Sequence, residues 1–410
     1  MRVIADLHLH SRYSRATSQD MNLDGLSRWA KLKGINVLGT GDFTHPKWIS
    51  ELEKLIPAND GIYTYNGVYF ILSVEVSNIF SVDNKIKKIH QIVLCPSLEI
   101  ARQINSELEK KADLSSDGRP TLGMSAAELV EIIMSISPKN VVVPAHIWTP
   151  WFSLFGSNSG FDSIAECYED MKKHIFALET GLSSDPKMNW RLSTLDDYSL
   201  ISNSDAHSPS KLGREANVFE LSELTYDSLI GAIKSKDKQK FICTYEFFPQ
   251  EGKYHYDGHR SCGVSLSPKQ SKRYGNICPV CKSPITIGVL HRVEELADRD
   301  EGFIPKNAIP FESLVPLQEL IAKALKKGEF TSAVMEEYNR IVRYFGSEFA
   351  ALHAKEEELS IATDQRISKA IINMQQGKIH ITPGYDGVFG KIEFFKSNEE
   401  RAIQSTLGDF

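Results

Sequence analysis

The sequence lacks long hydrophobic runs, has few cysteines and carries no excess of positive charge. None of its 410 residues belongs to an apolar run of about 18 residues, so we expect no membrane-spanning helix. Asp6, His8 and His10 occupy positions where a secretory signal needs apolar residues, so we expect a cytoplasmic protein. Six cysteines are too few for a disulfide framework in a chain of this size. The net charge of −6 argues against a uniformly basic, nucleic-acid-coating surface but allows a local basic patch.

The stretch "IADLHLHSRYS" places three polar side chains at alternate positions directly after an apolar start. In a strand, Asp6, His8 and His10 point to one face, whereas Leu7 and Leu9 point to the other. A lone histidine in such a place is usually a solvated polar side chain, but two imidazoles at positions i and i+2 can bind one metal ion. The stretch alone predicts a polar strand face and a metal site about equally.

The first 245 residues alternate short apolar runs with helical patterns, which is typical of strand–helix units on a parallel sheet or barrel. A chain of this length suggests two or three domains. We predict domains at 1–248, 249–292 and 293–410. Strands are predicted at 3–9, 35–39, 69–76, 90–94, 141–144, 176–178, 199–202 and 241–245, and helices at 23–33, 98–111 and 125–135.

Histidines and carboxylates follow the apolar runs repeatedly. Because the C-terminal ends of strands in α/β barrels share one rim, we expect these side chains to form one cluster. Mixed imidazole and carboxylate ligands favour Zn²⁺, Mn²⁺ or Fe²⁺. The side chains concerned are Asp42 and His45 in "GDFTH", Glu75 in "VEVS", His90 in "IHQ", His146 in "PAH", Glu179 in "LETG", and Asp205 and His207 in "NSDAH".

The motifs "DLHLHS", "GTGDFTH", "SVEVS", "KIHQIVL", "VVVPAH" and "ISNSDAH" resemble, in order and spacing, those of the PHP family, named for polymerase and histidinol phosphatase. The resemblance implies a distorted (β/α)7 barrel that holds two or three divalent metal ions, with zinc, manganese or magnesium as candidates. It also implies hydrolysis of a phosphoester. The chain departs from the family where Asp and His are usually adjacent, because Asp42 and His45 are separated here.

Carried over by position, the resemblance implies a set of metal ligands and catalytic residues. One ion would be bound by His8, His10, Glu75 and Asp205, which are also the expected catalytic residues. Glu75 would bridge to a second ion bound by His90 and His146. A third ion would use His207 with either Asp42 or His45. Glu179 and Asp6 are expected to orient ligand histidines by hydrogen bonding or to be ordinary polar strand ends.

A second group of metal-binding residue types lies in the segment 249–292. The pattern H-x2-C-x15-C-x2-C, formed by His259, Cys262, Cys278 and Cys281, is the spacing of a closed structural zinc site. His255 is the alternative to His259. The remaining cysteines stand apart in the sequence and are expected to be buried thiols, at Cys95, Cys167 and Cys243.

The same segment carries a local excess of positive charge. Between Lys253 and Arg292 there are seven Lys or Arg residues and one acidic residue, Asp257. This favours contact with a phosphate backbone over a merely solvated loop. The candidate DNA contacts in the segment are Lys269, Lys272 and Arg273.

Two further regions complete the sequence-based picture. Trp148, Trp151 and Phe152 follow His146 directly, and they are expected either to stack on a nucleotide or to cap the barrel mouth. Residues 293–410 are mainly helical in pattern, and the alternating apolar residues around "PGYDG" predict a terminal hairpin. No coiled-coil pattern occurs, so we expect a monomer.

The order of barrel, zinc module and helical region, together with "HRVEELADR", "PGYDGVFGKI" and "PAHIWTPWFSLFG", resembles the endonuclease Q family of archaea and some bacteria. The resemblance implies a metal-dependent endonuclease of DNA repair that hydrolyses the phosphodiester bond 5′ to uracil, hypoxanthine, xanthine or an abasic site. The products would carry 3′-hydroxyl and 5′-phosphate ends. It further implies lesion-containing DNA as partner, a replication clamp as candidate partner, and a prokaryotic, nucleoid-associated protein.

Two other functions fit parts of the sequence. A small-molecule phosphomonoesterase of the histidinol-phosphate type would use the same metals, but it has little use for a basic zinc module and a long C-terminal region. A non-catalytic DNA-binding protein with a degenerate barrel would be expected to have lost ligands. His8, His10, Glu75 and Asp205 are all present, which argues against that function.

Overall fold

A mixed sheet frames the N-terminal part of the protein, in a computed structural model that describes residues 1–395. Its fold is α/β, as predicted. The strands of this part are β1 (Arg2–Asp6), β2 (Val37–Gly39), β3 (Ile56–Asn59), β4 (Ile62–Tyr65), β5 (Val68–Val82), β6 (Lys85–Cys95), β7 (Thr121–Leu122), β8 (Val141–Pro144), β9 (Ala177–Glu179), β10 (Ser199–Ile201), β11 (Ala216–Glu220) and β12 (Phe241–Glu246). The helices between them are α1 (Leu23–Lys33), α2 (Pro46–Leu52), α3 (Leu98–Leu108), α4 (Ala126–Ile136), α5 (Ile164–Tyr168), α6 (Pro186–Asn189) and α7 (Tyr226–Ser235).

The strand order departs from a purely parallel barrel at one long hairpin. β1, β2 and β5 are parallel neighbours, but β6 folds back on β5 and pairs with it antiparallel, with Ser77 opposite His90. β8 then pairs antiparallel with β6, and β9 with β10 in parallel. The expectation that every ligand follows the C-terminal end of a parallel strand is therefore wrong for Glu75 and His90, which lie within the hairpin strands.

Main-chain hydrogen bonds close the ring of strands at the rim. The N–H of Asp205 donates to the carbonyl of His8, and the N–H of His10 donates to the carbonyl of Ala206. These bonds bring the segment after β10 beside the segment after β1. β8 is buried on both faces, since its alternate residues enter two different hydrophobic clusters.

Several elements match the sequence-based prediction, and others were not predicted. β8 and α1 have the predicted bounds, and α1 has the expected caps, with the Asn22 side chain accepting from Gly25 N and Gly34 in the left-handed region at φ 88°. Strands β3, β4, β7 and β11 were missed. The residues of β3, Ile56–Asn59, are all exposed, so no apolar alternation marks the strand.

The C-terminal residues add small elements to this frame. They are β13 (Asp257–His259), β14 (Val264–Leu266), α8 (Pro268–Arg273), α9 (Val289–Leu296), β15 (Phe311–Ser313), α10 (Leu317–Leu325), α11 (Ser332–Phe345), α12 (Glu348–Leu352), α13 (Glu356–Ala362), α14 (Gln365–Gln375), β16 (His380–Thr382) and β17 (Lys391–Glu393). β16 and β17 form an antiparallel hairpin where one was predicted. Among residues 1–395, no helix has both the length and the apolar character needed to cross a membrane.

The helical region packs closely against the barrel. β15 pairs in parallel with β12, so residues beyond 293 contribute a strand to the barrel sheet. Lys33 of α1 and Glu348 of α12 form a buried ion pair at 2.7 Å. The domain limits at 248 and 292 therefore stay a prediction, and the last part of the third segment, 396–410, lies outside the described residues.

Candidate active site

Sharp turns at the strand ends aim several of the predicted ligands. Asp42, His146 and Asp205 have φ values of 50°, 31° and 47°, in the left-handed region that non-glycine residues rarely adopt. Gly181 faces one of these turns, and a Cβ added to it would lie 2.4 Å from the Cβ of His146. Such backbone strain is characteristic of functional sites, where the surrounding structure holds it in place.

The first group of ligand types consists of two histidines and two carboxylates. His10 Nε2 lies 3.2 Å from Glu75 Oε2 and 3.1 Å from Asp205 Oδ1. His8 Nε2 lies 3.6 Å and 3.8 Å from the same two oxygens. These atoms therefore surround one point at the barrel rim.

The second group shares Glu75 with the first. Glu75 Oε1 lies 2.7 Å from His90 Nδ1 and 2.9 Å from His146 Nε2. The two imidazole nitrogens are 3.2 Å apart. One carboxylate thus presents one oxygen to each group, which is the arrangement of a bridging ligand between two ions.

The donor atoms of the first group fit a divalent cation. His8 Nε2, His10 Nε2 and Asp205 Oδ1 are buried and make no hydrogen bond within the described residues. Buried polar atoms normally have a partner, and orphaned atoms that converge on one point call for a ligand. Imidazole nitrogens combined with carboxylate oxygens suit Zn²⁺, Mn²⁺ or Fe²⁺.

Carboxylates behind the histidines fix their orientation. Glu179 lies 3.0 and 3.1 Å from the Nδ1 atom of His8, through its two oxygens. Asp42 Oδ1 lies 3.1 Å from the Nδ1 atom of His10. The other oxygen of Asp42 accepts from the main-chain N–H and hydroxyl of Ser11 and from the hydroxyl of Ser14. Asp42 thus lies where a carboxylate can orient His10, and its assignment as a ligand of a third ion stays a prediction.

The residues predicted for the third metal site, His207 with Asp42 or His45, belong to neither of the two groups, and that site stays a prediction. His45 stacks on Tyr13, with ring centroids 4.4 Å apart, and it belongs to neither group. His207 lies beside His10, with ring centroids 4.4 Å apart, and its Nδ1 is 3.0 Å from the carbonyl oxygen of Asp205. Asp6, for which two roles were open, accepts from the main-chain N–H groups of Ser204 and Gly213 and so holds the rim segment.

Burial and neighbouring charges shift the pKa values of the buried ligand residues. Burial alone would raise the pKa of Glu75, but its interactions with His90 and Arg119 lower it well below its usual range. Burial lowers the pKa of His90 to about 4. For His8, burial opposes protonation, but Glu179 and Glu75 raise its pKa well above the usual value. A cation bound here competes with that proton, so metal affinity falls as the pH falls.

The four residues of the predicted zinc site come together. His259, Cys262, Cys278 and Cys281 offer ligand atoms that all lie within 4.8 Å of one another, and Cys281 Sγ is 3.3 Å from His259 Nδ1. The alternative ligand, His255, is buried apart from this group, and burial lowers its pKa to about 4. Hydrogen bonds from Ser283 lower the pKa of Cys281 to about 6, which favours the thiolate that binds metal.

The three aromatic candidates after His146 differ in exposure. Trp148 is 1% exposed, and its Nε1–H donates to Asn189 Oδ1 at 2.7 Å, so it is a core residue and its assignment as a DNA contact is corrected. Trp151 is 42% exposed and packs edge-on against Tyr254 at 5.5 Å. Phe152 is half-buried, with its ring 4.8 Å from that of His90. Trp151 thus lies at the surface, and Phe152 is partly exposed beside the second group.

The basic candidates of the zinc module lie together on the surface. Lys269, Lys272 and Arg273 are all exposed and belong to the short helix α8. Asp257, the acidic residue of this segment, is instead buried and faces His291, with Oδ2 at 2.6 Å from Nδ1. The positive charge of the module is therefore available to a partner.

Comparison with known proteins places this geometry in a family. The crystal structure of the lesion-specific endonuclease PfuEndoQ from Pyrococcus furiosus matches with a TM-score of 0.87 at 34% sequence identity, over 98% of this chain and 99% of that one. The chain belongs to the endonuclease Q family. A structure of endonuclease Q with a 27-mer duplex that has an abasic lesion at the active site matches with a TM-score of 0.86 at 35% identity, over 97% and 98% of the chains.

The C-terminal region of this endonuclease Q family member has its own match. Residues 316–378, which contain α10 to α14, match the family model described as the MJ0043 C-terminal domain. The uncharacterised protein MJ0043 of Methanocaldococcus jannaschii is 39% identical over 257 residues, which are 60% of this chain and 31% of that protein. The chain thus spans about a third of the length of that relative.

One charged residue at the site was missed by the sequence analysis of this endonuclease Q family member. Arg119 donates from Nη1 to Glu75 Oε2 at 3.0 Å. It lies in the stretch "DLSSDGRPTLGMS", which has the composition of an ordinary loop. The only available signal was an arginine between glycine and proline, which by itself does not indicate a site.

Proposed function

We propose that this protein is a metal-dependent endodeoxyribonuclease of DNA repair. Its reaction would be hydrolysis of the phosphodiester bond 5′ to a deaminated base, namely uracil, hypoxanthine or xanthine, or to an abasic site. The products would carry 3′-hydroxyl and 5′-phosphate ends. The observation that carries the proposal is the full-length similarity to a lesion-specific endonuclease, combined with two ligand groups that meet at Glu75.

The chain's own residues would hold the ions and orient the reaction. His8, His10 and Asp205 would bind one ion and His90 and His146 a second, with Glu75 between them. Divalent cations in such a pair polarise a phosphodiester and lower the pKa of water. Glu179 and Asp42 would keep the histidine ligands oriented toward the ions. We propose two ions in the barrel and one zinc in the module.

DNA would approach the rim beside the aromatic and basic residues. Phe152 lies next to the second group, and the exposed ring of Trp151, which packs against Tyr254, can stack on a nucleotide. Lys269, Lys272 and Arg273 would contact phosphates. A deaminated base is mispaired, so extruding it costs less than the few kcal/mol needed for a normal base, which contributes to selectivity.

A nicking assay tests this function directly. End-labelled duplexes, each with one uracil, hypoxanthine or abasic site or with no lesion, are incubated with the protein and Mg²⁺, Mn²⁺ or Zn²⁺. Cleavage only on the 5′ side of lesions, and its loss in Asp205→Asn, is the expected result. Intact DNA together with rapid phosphate release from a phosphomonoester would instead establish a small-molecule phosphatase.

The proposal also covers the oligomeric state of the protein, its location in the cell and its partners. It would act as a monomer on nucleoid DNA in a prokaryotic cell, with the replication clamp as a candidate partner. Light scattering with and without DNA tests the monomer. Stimulation of nicking by the purified clamp tests that partner, and an unchanged rate would argue against it.

A further inference from the structure

Arg119 places a guanidinium group directly at the junction of the two ligand groups. Its Nη1 lies 3.0 Å from Glu75 Oε2, the oxygen that also faces His8 and His10. The side chain is 28% exposed, so one side of the group faces the buried carboxylate and another faces solvent. No other Arg or Lys within residues 1–395 forms an ion pair with Glu75 or Asp205.

The backbone around Arg119 is held firmly on both sides. The N–H of Gly118 donates to the carbonyl of Tyr13 at 3.0 Å, and the N–H of Ser77 in β5 donates to the carbonyl of Pro120 at 2.9 Å. Gly118 is packed so tightly that an added Cβ would lie 2.3 Å from Asp42 Oδ2. The loop therefore fixes the position of Arg119 relative to the barrel rather than letting the residue move as a surface arginine does.

A cation at this position is explained better by an anionic substrate than by the ligands alone. Ligands for divalent cations should be negative or neutral, and a permanent positive charge beside them disfavours metal binding. The same positive charge favours binding of a substrate that brings negative charge to this place. Arginine suits that role because its planar fork of N–H donors matches the oxygens of a phosphate.

We propose that Arg119 is a catalytic residue that donates to a non-bridging oxygen of the scissile phosphate while Glu75 binds the ions. This inference rests on the proposed function and names a phosphodiester as the partner of the guanidinium. In the reaction a water oxygen bonds to phosphorus as the bond between phosphorus and the 3′-oxygen breaks. The 3′-oxygen leaves with the electron pair of that bond and takes up a proton from solvent, and the attacking water releases a proton to solvent. Arg119 supplies no proton; its fixed positive charge stabilises the additional negative charge on the phosphorus oxygens in the transition state.

The competing explanation is structural, and it makes different predictions. If Arg119 only holds Glu75 in place, its loss should reduce metal binding and should not depend on the chemistry of the phosphate. If Arg119 contacts the phosphate, its loss should leave the metal content unchanged. It should also change how much the cleavage rate falls when sulfur replaces a non-bridging oxygen. Metal content and the phosphate response therefore separate the two roles.

The experiment compares Arg119→Gln and Arg119→Lys with the matched control Arg102→Gln. Arg102 also pairs with a carboxylate, Glu53 at 2.6 Å, but on the exposed surface of α3. We expect Arg119→Gln to lower the single-turnover rate on an abasic duplex by about 100- to 1,000-fold. Arg119→Lys should recover part of the loss, and Arg102→Gln should cut at the wild-type rate. Metal content, measured by mass spectrometry, should be equal in all four proteins.

Phosphorothioate substrates give the decisive readout. Sulfur replaces one or the other non-bridging oxygen at the cleaved position, and each diastereomer is cut by wild type and by Arg119→Gln. If sulfur slows the cleavage of one diastereomer by wild type but not by Arg119→Gln, the contact is supported. Equal penalties in both proteins, a wild-type rate in Arg119→Gln, or loss of metal from that variant would each overturn it. A wild-type protein that does not cut lesion DNA would instead overturn the proposed function itself.

Discussion

His8 and Glu179 form a buried pair in which both carboxylate oxygens lie within 3.1 Å of the imidazole Nδ1. The same carboxylate accepts from the main-chain N–H of His146 at 2.8 Å and from the side-chain amide of Asn203 at 2.9 Å. Because both carboxylate oxygens of Glu179 face the Nδ1 of His8, this nitrogen is placed to donate to the carboxylate while Nε2 faces the cation site. One residue thus orients members of both ligand groups.

The replacement Glu179→Gln should weaken metal binding. Glutamine keeps the size but offers only one acceptor oxygen, and it removes the negative charge that makes the His8 imidazole a better donor. We expect about a 10- to 100-fold loss of affinity for the barrel ions. Competition with a fluorescent chelator measures it. The exposed Glu223→Gln is the control, and an unchanged affinity in Glu179→Gln would contradict the role given to this pair.

The ligand groups were predictable because each of their residues stands in a short sequence motif that contains metal-binding side chains. His8 and His10 are two positions apart, and Glu75, His90, His146 and Asp205 each stand in a short motif. The structure brings these residues into the two groups that the resemblance implied. The resemblance of these motifs to those of a known family indicated which residues meet.

The direction of a side chain was less predictable. Asp42 and Trp148 stand in motifs that suggested a ligand and a DNA contact, but one points to the far side of His10 and the other into the core. Arg119 reaches Glu75 only because its loop is bound to β5 and to the segment after β1. These outcomes depend on tertiary contacts distant in sequence, which no local pattern records.

A buried carboxyl group away from the ligands should make stability depend on pH. Burial raises the pKa of Glu246 to about 8, and its oxygens accept from the hydroxyls of Thr244 and Thr180. The folded state therefore holds a proton that the unfolded state releases above pH 4.5, its usual pKa. This contribution to stability is complete below pH 4.5 and is lost as the pH rises toward 8, at about 1.4 kcal/mol per pH unit.

The variant Glu246→Gln should remove this dependence. Its free energy of unfolding, measured by urea titration between pH 5 and pH 8, should fall less steeply with pH than that of wild type. Contributions from titrating groups that do not interact with Glu246 cancel in the difference between the two proteins, whereas the buried Glu215, whose pKa burial and Glu246 both raise, changes with it. Glu223→Gln should keep the wild-type slope. Parallel curves for wild type and Glu246→Gln would show that Glu246 is ionised throughout.

The zinc module should depend on its metal for order. Its own hydrophobic cluster contains only three buried residues, Leu266, Cys278 and Ile285. So small a core cannot offset the conformational entropy of the chain, and metal binding has to supply the folding free energy. We expect Cys278→Ser to lose one zinc per chain and to become sensitive to protease within residues 259–285, while the barrel stays resistant. Zinc content and limited proteolysis measure both effects.

The matched control for the module lies between Cys278 and Cys281. Val280 is 66% exposed, so Val280→Ser should keep both the zinc and the protease resistance. A Cys278→Ser protein that retained its zinc and stayed intact would show that the four residues do not form the metal site.

Trp151 should contribute to DNA affinity rather than to folding. Its ring is 42% exposed and is supported edge-on by Tyr254, so one face can stack on a base. Stacking of a base on an aromatic ring contributes about 1–3 kcal/mol, so Trp151→Ala should weaken binding of an abasic duplex by about 5- to 150-fold. Fluorescence anisotropy in an Asp205→Asn background measures affinity without cleavage. Trp151→Phe should restore most of it, and Phe330→Ala, at a 72% exposed aromatic elsewhere, should have no effect. Equal affinity of Trp151→Ala and the parent protein would exclude stacking at this position and leave the module's cations as the main DNA contact.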